Sequence, residues 1–233
     1  GSHFWAGPPD PHVFIADSSI RSSDTVVHEI GHHVMWNKTG QWLWYEYGCW
    51  DHLLFSQEST QCAWSEGWAD FFAIAVNGDI CYDFLEGPCT GIADQQKFDL
   101  ENHTRNDPPN NPITGLPWWG DSVEGRVAGT LYDLMDLNNE SPGYDTAVWG
   151  FDPIADIAMS GSGKSTLLEF WNGYQGTDKH HGVRSIYQNT IDYDHSPVFS
   201  SIPEQRTLRN YSRAHLLDLW DYSSDAESPD ASL

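Results

Sequence analysis

Positive charge is scarce in this chain: 11 Lys and Arg stand against 34 Asp and Glu in 233 residues, a formal net charge of −23. A nucleic-acid backbone or an anionic membrane surface would be repelled, so neither is expected as a partner. No apolar run approaches the roughly 20 residues that a membrane-spanning helix needs, and no internal repeat is visible. The DxDxDG spacing of an EF-hand loop is missing as well. Twenty-three of the acidic residues are Asp, which leaves calcium possible at another kind of site, although a solvated acidic surface is the simpler reading.

Cysteine is absent before Cys49, and the four present, Cys49, Cys62, Cys81 and Cys89, show no CxxC spacing. An even, clustered set of this kind favours disulfides over a second metal site, and with them an oxidising, extracellular setting. Four cysteines allow three connectivities. The pairing Cys49–Cys62 with Cys81–Cys89 is the expected one, because each bond closes a short loop.

What the chain does have is His28-Glu29-Ile30-Gly31-His32, an HExxH segment. A helix turns about 100° per residue, so residues four apart share a face and His28 and His32 can grip one ion. Catalytic zinc takes three protein ligands and leaves a position open for water, whose pKa it lowers towards about 7. Glu29, beside the first histidine, is placed to accept that water's proton. Ser23 and Asp24 are N-cap candidates; Val26, Val27, Ile30, Val34 and Met35 supply an apolar face. Gly31 weakens the helix by about 1 kcal/mol relative to Ala, and is expected to permit close packing against another element. In a chain with 11 His, HExxH arises by chance in roughly two of every hundred such sequences, so a third ligand is required. His33 points away from His32 and reads as a packing or surface residue.

The third ligand is expected in Ala63–Val76, a second amphipathic helical pattern in which Glu66 and Asp70 again stand four apart. Glu66 is assigned to the metal. Asp70 is assigned to the free N–H of a ligand histidine, His28 above all, whose tautomer it would fix. HExxH followed by a helical Glu-x-x-x-Asp resembles the gluzincin metallopeptidases of the thermolysin and fungalysin type, over roughly residues 13–78. The resemblance implies a zincin-like catalytic domain with Glu66 as zinc ligand and Asp70 supporting the first histidine. Metzincins would need Gly and His where this chain has Met35 and Lys38. Gly67-Trp68-Ala69-Asp70 matches the GxxD fragment of aspzincins, which keeps Asp70 open as an alternative ligand. Peptide deformylases need a cysteine before HExxH, and there is none.

The rest of the chain reads as an α+β, mostly helical domain over residues 4–222. It has an N-terminal lobe at about 4–100 with a small sheet and the active-site helix, and a helical C-terminal lobe at about 113–222. Gly1-Ser2-His3 looks like an expression-tag remnant, and residues 223–233 read as a frayed acidic tail. His12–Asp17 is expected as a short strand which, by the resemblance, would pair with an extended peptide substrate. Residues 37–61 look loop-like, and 106–112 are a Pro- and Asn-rich breaker. Helices are expected over Val123–Leu137, Ser165–Tyr174 and Val183–Ile191. Most of the 12 Trp and 10 Tyr belong in the core, with some lining a concave surface.

Thermolysin-like enzymes place a histidine just before a helix resembling Val123–Leu137, where it hydrogen-bonds the developing oxyanion. Here Trp118, Trp119, Asp121, Glu124 and Arg126 occupy that neighbourhood, and no histidine does. His180, His181, Tyr187 and Tyr193 are the candidates for that role. The expected function is a secreted zinc endopeptidase acting on protein or peptide, with Glu29 as general base. The alternatives are a zinc hydrolase of another amide or of a glycopeptide, and a noncatalytic zinc-containing binding domain. Oligomeric state is not legible.

Overall fold

The computed structural model describes residues 1–6, 10–39, 49, 52–84, 97–100, 120–138, 146–193, 198–199 and 223–224. Six helices are described: α1 Ser23–Thr39, α2 Thr60–Asn77, α3 Glu124–Met135, α4 Phe151–Ala158, α5 Leu167–Gly173 and α6 Lys179–Gln188. Three two-stranded antiparallel sheets accompany them: β1 His3–Trp5 with β2 His12–Phe14, β3 Cys81–Asp83 with β4 Lys97–Asp99, and β5 Val198–Phe199 with β6 Ser223–Ser224. The chain is thus mostly helical with small sheets, an α+β arrangement. The breaker at 106–112 lies outside the described residues, as do 40–48, 50 and 51 within 37–61 and residues 225–233.

The start of α1 differs from expectation. Ser22, not Ser23 or Asp24, caps the helix, its Oγ accepting from the Thr25 N–H at 2.9 Å. Asp24 lies in the first turn of α1 and is buried. It accepts from Asn77 Nδ2 at 2.6 Å and from the Asp83 N–H at 2.8 Å, tying the start of α1 to the end of α2 and to β3. Ser59 caps α2 in the same way, accepting from the Cys62 N–H at 3.1 Å.

Two glycines let the three central helices approach closely. A Cβ on Gly31 would stand 3.2 Å from the Ala69 Cα and from Phe72, so α1 and α2 cross almost backbone to backbone there. A Cβ on Gly67 would meet the Glu124 carbonyl and the Val127 side chain at 2.7 Å, so α3 closes on the opposite side of α2. Around that three-helix crossing lie Trp64, Trp68, Phe71, Ile74, Val127 and Leu131, all fully buried. Trp64 donates from Nε1 to the Lys164 carbonyl at 2.6 Å and packs on Phe170, which joins α5 to the same core.

Other expectations shift at the edges. The strand expected over His12–Asp17 covers only His12–Phe14, and it pairs with His3–Trp5. His3 lies opposite Phe14, and Ser2 Oγ accepts from the Ala16 N–H at 3.0 Å, so residues expected as a tag remnant take part in the sheet. The last helix starts four residues earlier than Val183, and α4 was not foreseen. Ser223 and Ser224 are not frayed but paired with β5, because a strand partner some 25 residues upstream satisfies their backbone.

Candidate metal centre

Gly31 seats the face of α1 that carries His28 and His32 directly over the face of α2 that carries Glu66 and Asp70. His28 Nε2, His32 Nε2 and Glu66 Oε2 converge: the two nitrogens are 3.1 Å apart, and they lie 3.2 and 3.0 Å from the oxygen. A tetrahedral ion with bonds of about 2.0–2.1 Å has ligand-to-ligand edges of about 3.3–3.4 Å. The triangle therefore has nearly the size such an ion demands, and all three residues are buried. Two imidazole nitrogens and a carboxylate oxygen are also a donor set that zinc accepts. Among the described residues, this is the cluster of His, Cys, Asp and Glu that could hold a metal.

Behind the triangle stands a set of carboxylates. His28 Nδ1 meets Asp70 Oδ1 at 2.7 Å, so its remaining ring nitrogen is the one turned to the cluster. Asp70 is fully buried. Burial and the neighbouring Glu124 carboxylate hold its carboxyl well above the usual range. Burial alone would lower the His28 imidazole, but its hydrogen bonds to Asp70 and Glu66 outweigh that and keep it well above its ordinary value. Glu66 goes the opposite way: burial opposes its ionisation, yet His32, His28 and His52 together hold it well below the ordinary carboxylate range. A charged Glu66 is the form that binds a cation.

Sequence reasoning missed His52 and the role of Glu124. His52 Nδ1 donates to Glu124 Oε2 at 2.7 Å, while its Nε2 lies 3.7 Å from Glu66 Oε2. Burial lowers this imidazole, but Glu124 and Glu66 outweigh it and raise it to about 10. Glu124 begins α3 and reaches the site because Gly67 lets that end of α3 press on α2. No spacing links residue 52 to residue 124, so nothing in the sequence pattern marks the pair. Tyr82 completes the surroundings. It contacts the His28 ring edge-on, and burial with Asp70, Glu124, Asp24 and Glu29 raises its phenol well above its usual value.

Glu29 lies on α1 beside His28 and is buried. The four residues expected for the oxyanion lie on the chain's last described helix and just after it. His180 Nδ1 contacts the Thr177 carbonyl, His180 and His181 lie ring against ring, and Tyr193 donates to Asp121 Oδ2 at 2.5 Å. Tyr187 is partly exposed on α6.

Cys49 and Cys62 form a disulfide with Cα atoms 5.6 Å apart. Cys62 sits one turn before Glu66, and Cys49 Sγ is 3.7 Å from Glu66 Oε1. Cys81 is also disulfide-bonded; its expected partner, Cys89, lies outside the described residues. No helix among the described residues is long and apolar enough to cross a membrane.

No curated protein and no solved structure matches the chain. Residues 1–190, more than half of the sequence and all of the cluster just described, match the family described as the Mycolysin C-terminal domain. The chain belongs to that family and is thereby related to the thermolysin-like peptidases.

Proposed function

We propose that this chain is a zinc-dependent endopeptidase of the gluzincin type, its zincin-like domain holding one zinc ion through His28, His32 and Glu66. The observation that carries the reading is the triangle of ligand atoms with edges of 3.0–3.2 Å, on two helices that Gly31 brings together. Bound there, zinc would polarise a scissile carbonyl and make water acidic near neutral pH. Glu29 accepts the proton from the attacking water and returns it to the leaving amine. Asp70 holds His28 in the tautomer whose Nε2 faces the cluster. Substrate in extended form adds to β2, which among the described residues pairs only with β1. The disulfide supports a secreted protein. Calcium, which the Asp content leaves open, has no cluster assigned to it among the described residues.

A second reading is a noncatalytic domain that keeps the metal, and it draws on the family description, which names a C-terminal domain. Metal analysis followed by peptide-library cleavage separates the two. The peptidase reading expects about one zinc per chain and cleavage of unmodified peptide that Glu29→Gln removes. A zinc-loaded chain that cuts no peptide favours the second reading, and one that cuts only glycopeptides or other amides moves the substrate class.

A further inference from the structure

Four Asn-x-Ser/Thr triplets stand in the chain, at Asn37-Lys38-Thr39, Asn102-His103-Thr104, Asn139-Glu140-Ser141 and Asn210-Tyr211-Ser212, and none has proline in the middle position. Such a triplet is the acceptor for N-linked oligosaccharide in a chain that passes through a secretory route, and its asparagine must end exposed because the sugar is bulky and polar. The last three lie outside the described residues. Asn37 does not, so its surroundings can be tested against a sugar.

Asn37 lies in the last turn of α1 and is exposed, whereas the buried residues of that helix run from Asp24 to Met35. Relative to His32 it stands about 7.5 Å further along the axis and about 140° around it, so a sugar on its amide leaves the face that carries the metal ligands clear. Asn37 Nδ2 donates to His33 Nε2 at 2.7 Å. Glycosylation replaces one of the two amide protons, and Nδ2 keeps an N–H for that contact.

The same geometry fixes when the sugar can be attached. Two residues apart on a helix, Asn37 and Thr39 point about 200° away from each other. Both are also engaged: Asn37 with His33, and Thr39 through its Oγ1, which donates to the Met35 carbonyl at 2.8 Å. A transferase that needs the amide and the hydroxyl together finds them so only before the last turn of α1 closes.

We propose that Asn37 is an N-glycosylation site, modified while the chain is still unfolded, and that α1 then closes with the sugar on its solvent side. The co-reactant is a polyprenyl-pyrophosphate-linked oligosaccharide. Its C1–O bond to pyrophosphate breaks as a C1–Nδ2 bond forms; the amide gives up one proton, and the polyprenyl pyrophosphate leaves with the bonding pair. The proposal rests on the secreted setting proposed above and is independent of peptidase activity.

The test uses the full chain, given a cleavable secretion leader in a eukaryotic cell so that it enters the secretory route whatever its natural address. An empty Asn37 then counts against this inference alone, while the secreted reading is judged by whether the chain is found in the culture medium of its source. Peptide mapping of the secreted protein should find oligosaccharide mass on the peptide carrying Asn37, removed by a peptide N-glycosidase that leaves aspartate in its place. Asn37→Gln and Thr39→Ala should lose that mass, and Thr39→Ser, which keeps a hydroxyl, should retain it. Folded, sugar-free chain should accept none from transferase and donor in vitro, whereas reduced and alkylated chain, once circular dichroism shows it unfolded, should accept it. An unmodified Asn37 in the secreted wild-type chain overturns the proposal, as does a sugar that persists in Thr39→Ala. Equal transfer to folded and unfolded chain overturns the order of events.

Discussion

Glu29 and Gln differ by one proton-accepting oxygen and almost nothing in size, so Glu29→Gln isolates the role of base from every packing contact. Zinc content should be unchanged by elemental analysis, while kcat falls by at least about 10²–10⁴, the range for a lost general base. Asp70 meets the ligand His28 at 2.7 Å. Asp70→Asn should therefore weaken zinc by about 10–100-fold, the range for an outer partner of a ligand histidine, as measured by competition with a chelating dye. The residues of these two variants were legible beforehand because helical spacing is local: His28 with His32, and Glu66 with Asp70, announce a shared face by being four apart. His52 was not legible for the same reason. Its partner Glu124 is 72 residues away, and only the packing of α3 on α2 makes them neighbours.

At the scale of elements, α1, α2 and α3 were readable from their apolar periodicity, and the ends moved by only a few residues. The N-cap of α1 was misplaced because Ser22, Ser23 and Asp24 are adjacent and chemically equivalent candidates; what decides is that Asp24 is spent on Asn77 and Asp83. Helix α4 was hidden by Pro153, which reads as a breaker, yet lies in the first turn where a missing N–H costs nothing. Strands β3 and β4 have three residues each and exist only through their pairing, which no local pattern encodes. The crossing at Gly67 gives a prediction at this scale. Gly67→Ala drives a methyl to 2.7 Å from the Glu124 carbonyl, and overpacking of that kind costs about 1–3 kcal/mol. Thermal denaturation of the metal-free protein should show a lower Tm, and α3 should shift enough to loosen the Glu124–His52 contact.

For the whole molecule, the buried charges set how stability follows pH. In metal-free protein, His28 and His52 are raised above their ordinary value of 6.5, so what they contribute is complete below that pH. It is lost as pH rises, for His52 through about 10. Glu66 is lowered from 4.5, so its contribution is present above that pH and is lost on further acidification. Chelator-treated protein should therefore lose Tm steadily between pH 6.5 and 10. Zinc-loaded protein, whose His28 Nε2 carries a cation in place of a proton, should lose less. The gap between the two melting curves should widen with pH; a constant gap would mean that protons and metal do not compete for this cluster.

The Cys49–Cys62 bond leaves the ligand trio independent of oxidation, since His28, His32 and Glu66 ride on two helices packed without it. On the zinc-peptidase reading, a reduced chain would still hold the ligand trio, because that trio does not depend on the bond between Cys49 and Cys62. Cys49→Ser with Cys62→Ser should accordingly yield a protein that still binds about one zinc per chain, as elemental analysis would show, although it melts at a lower temperature.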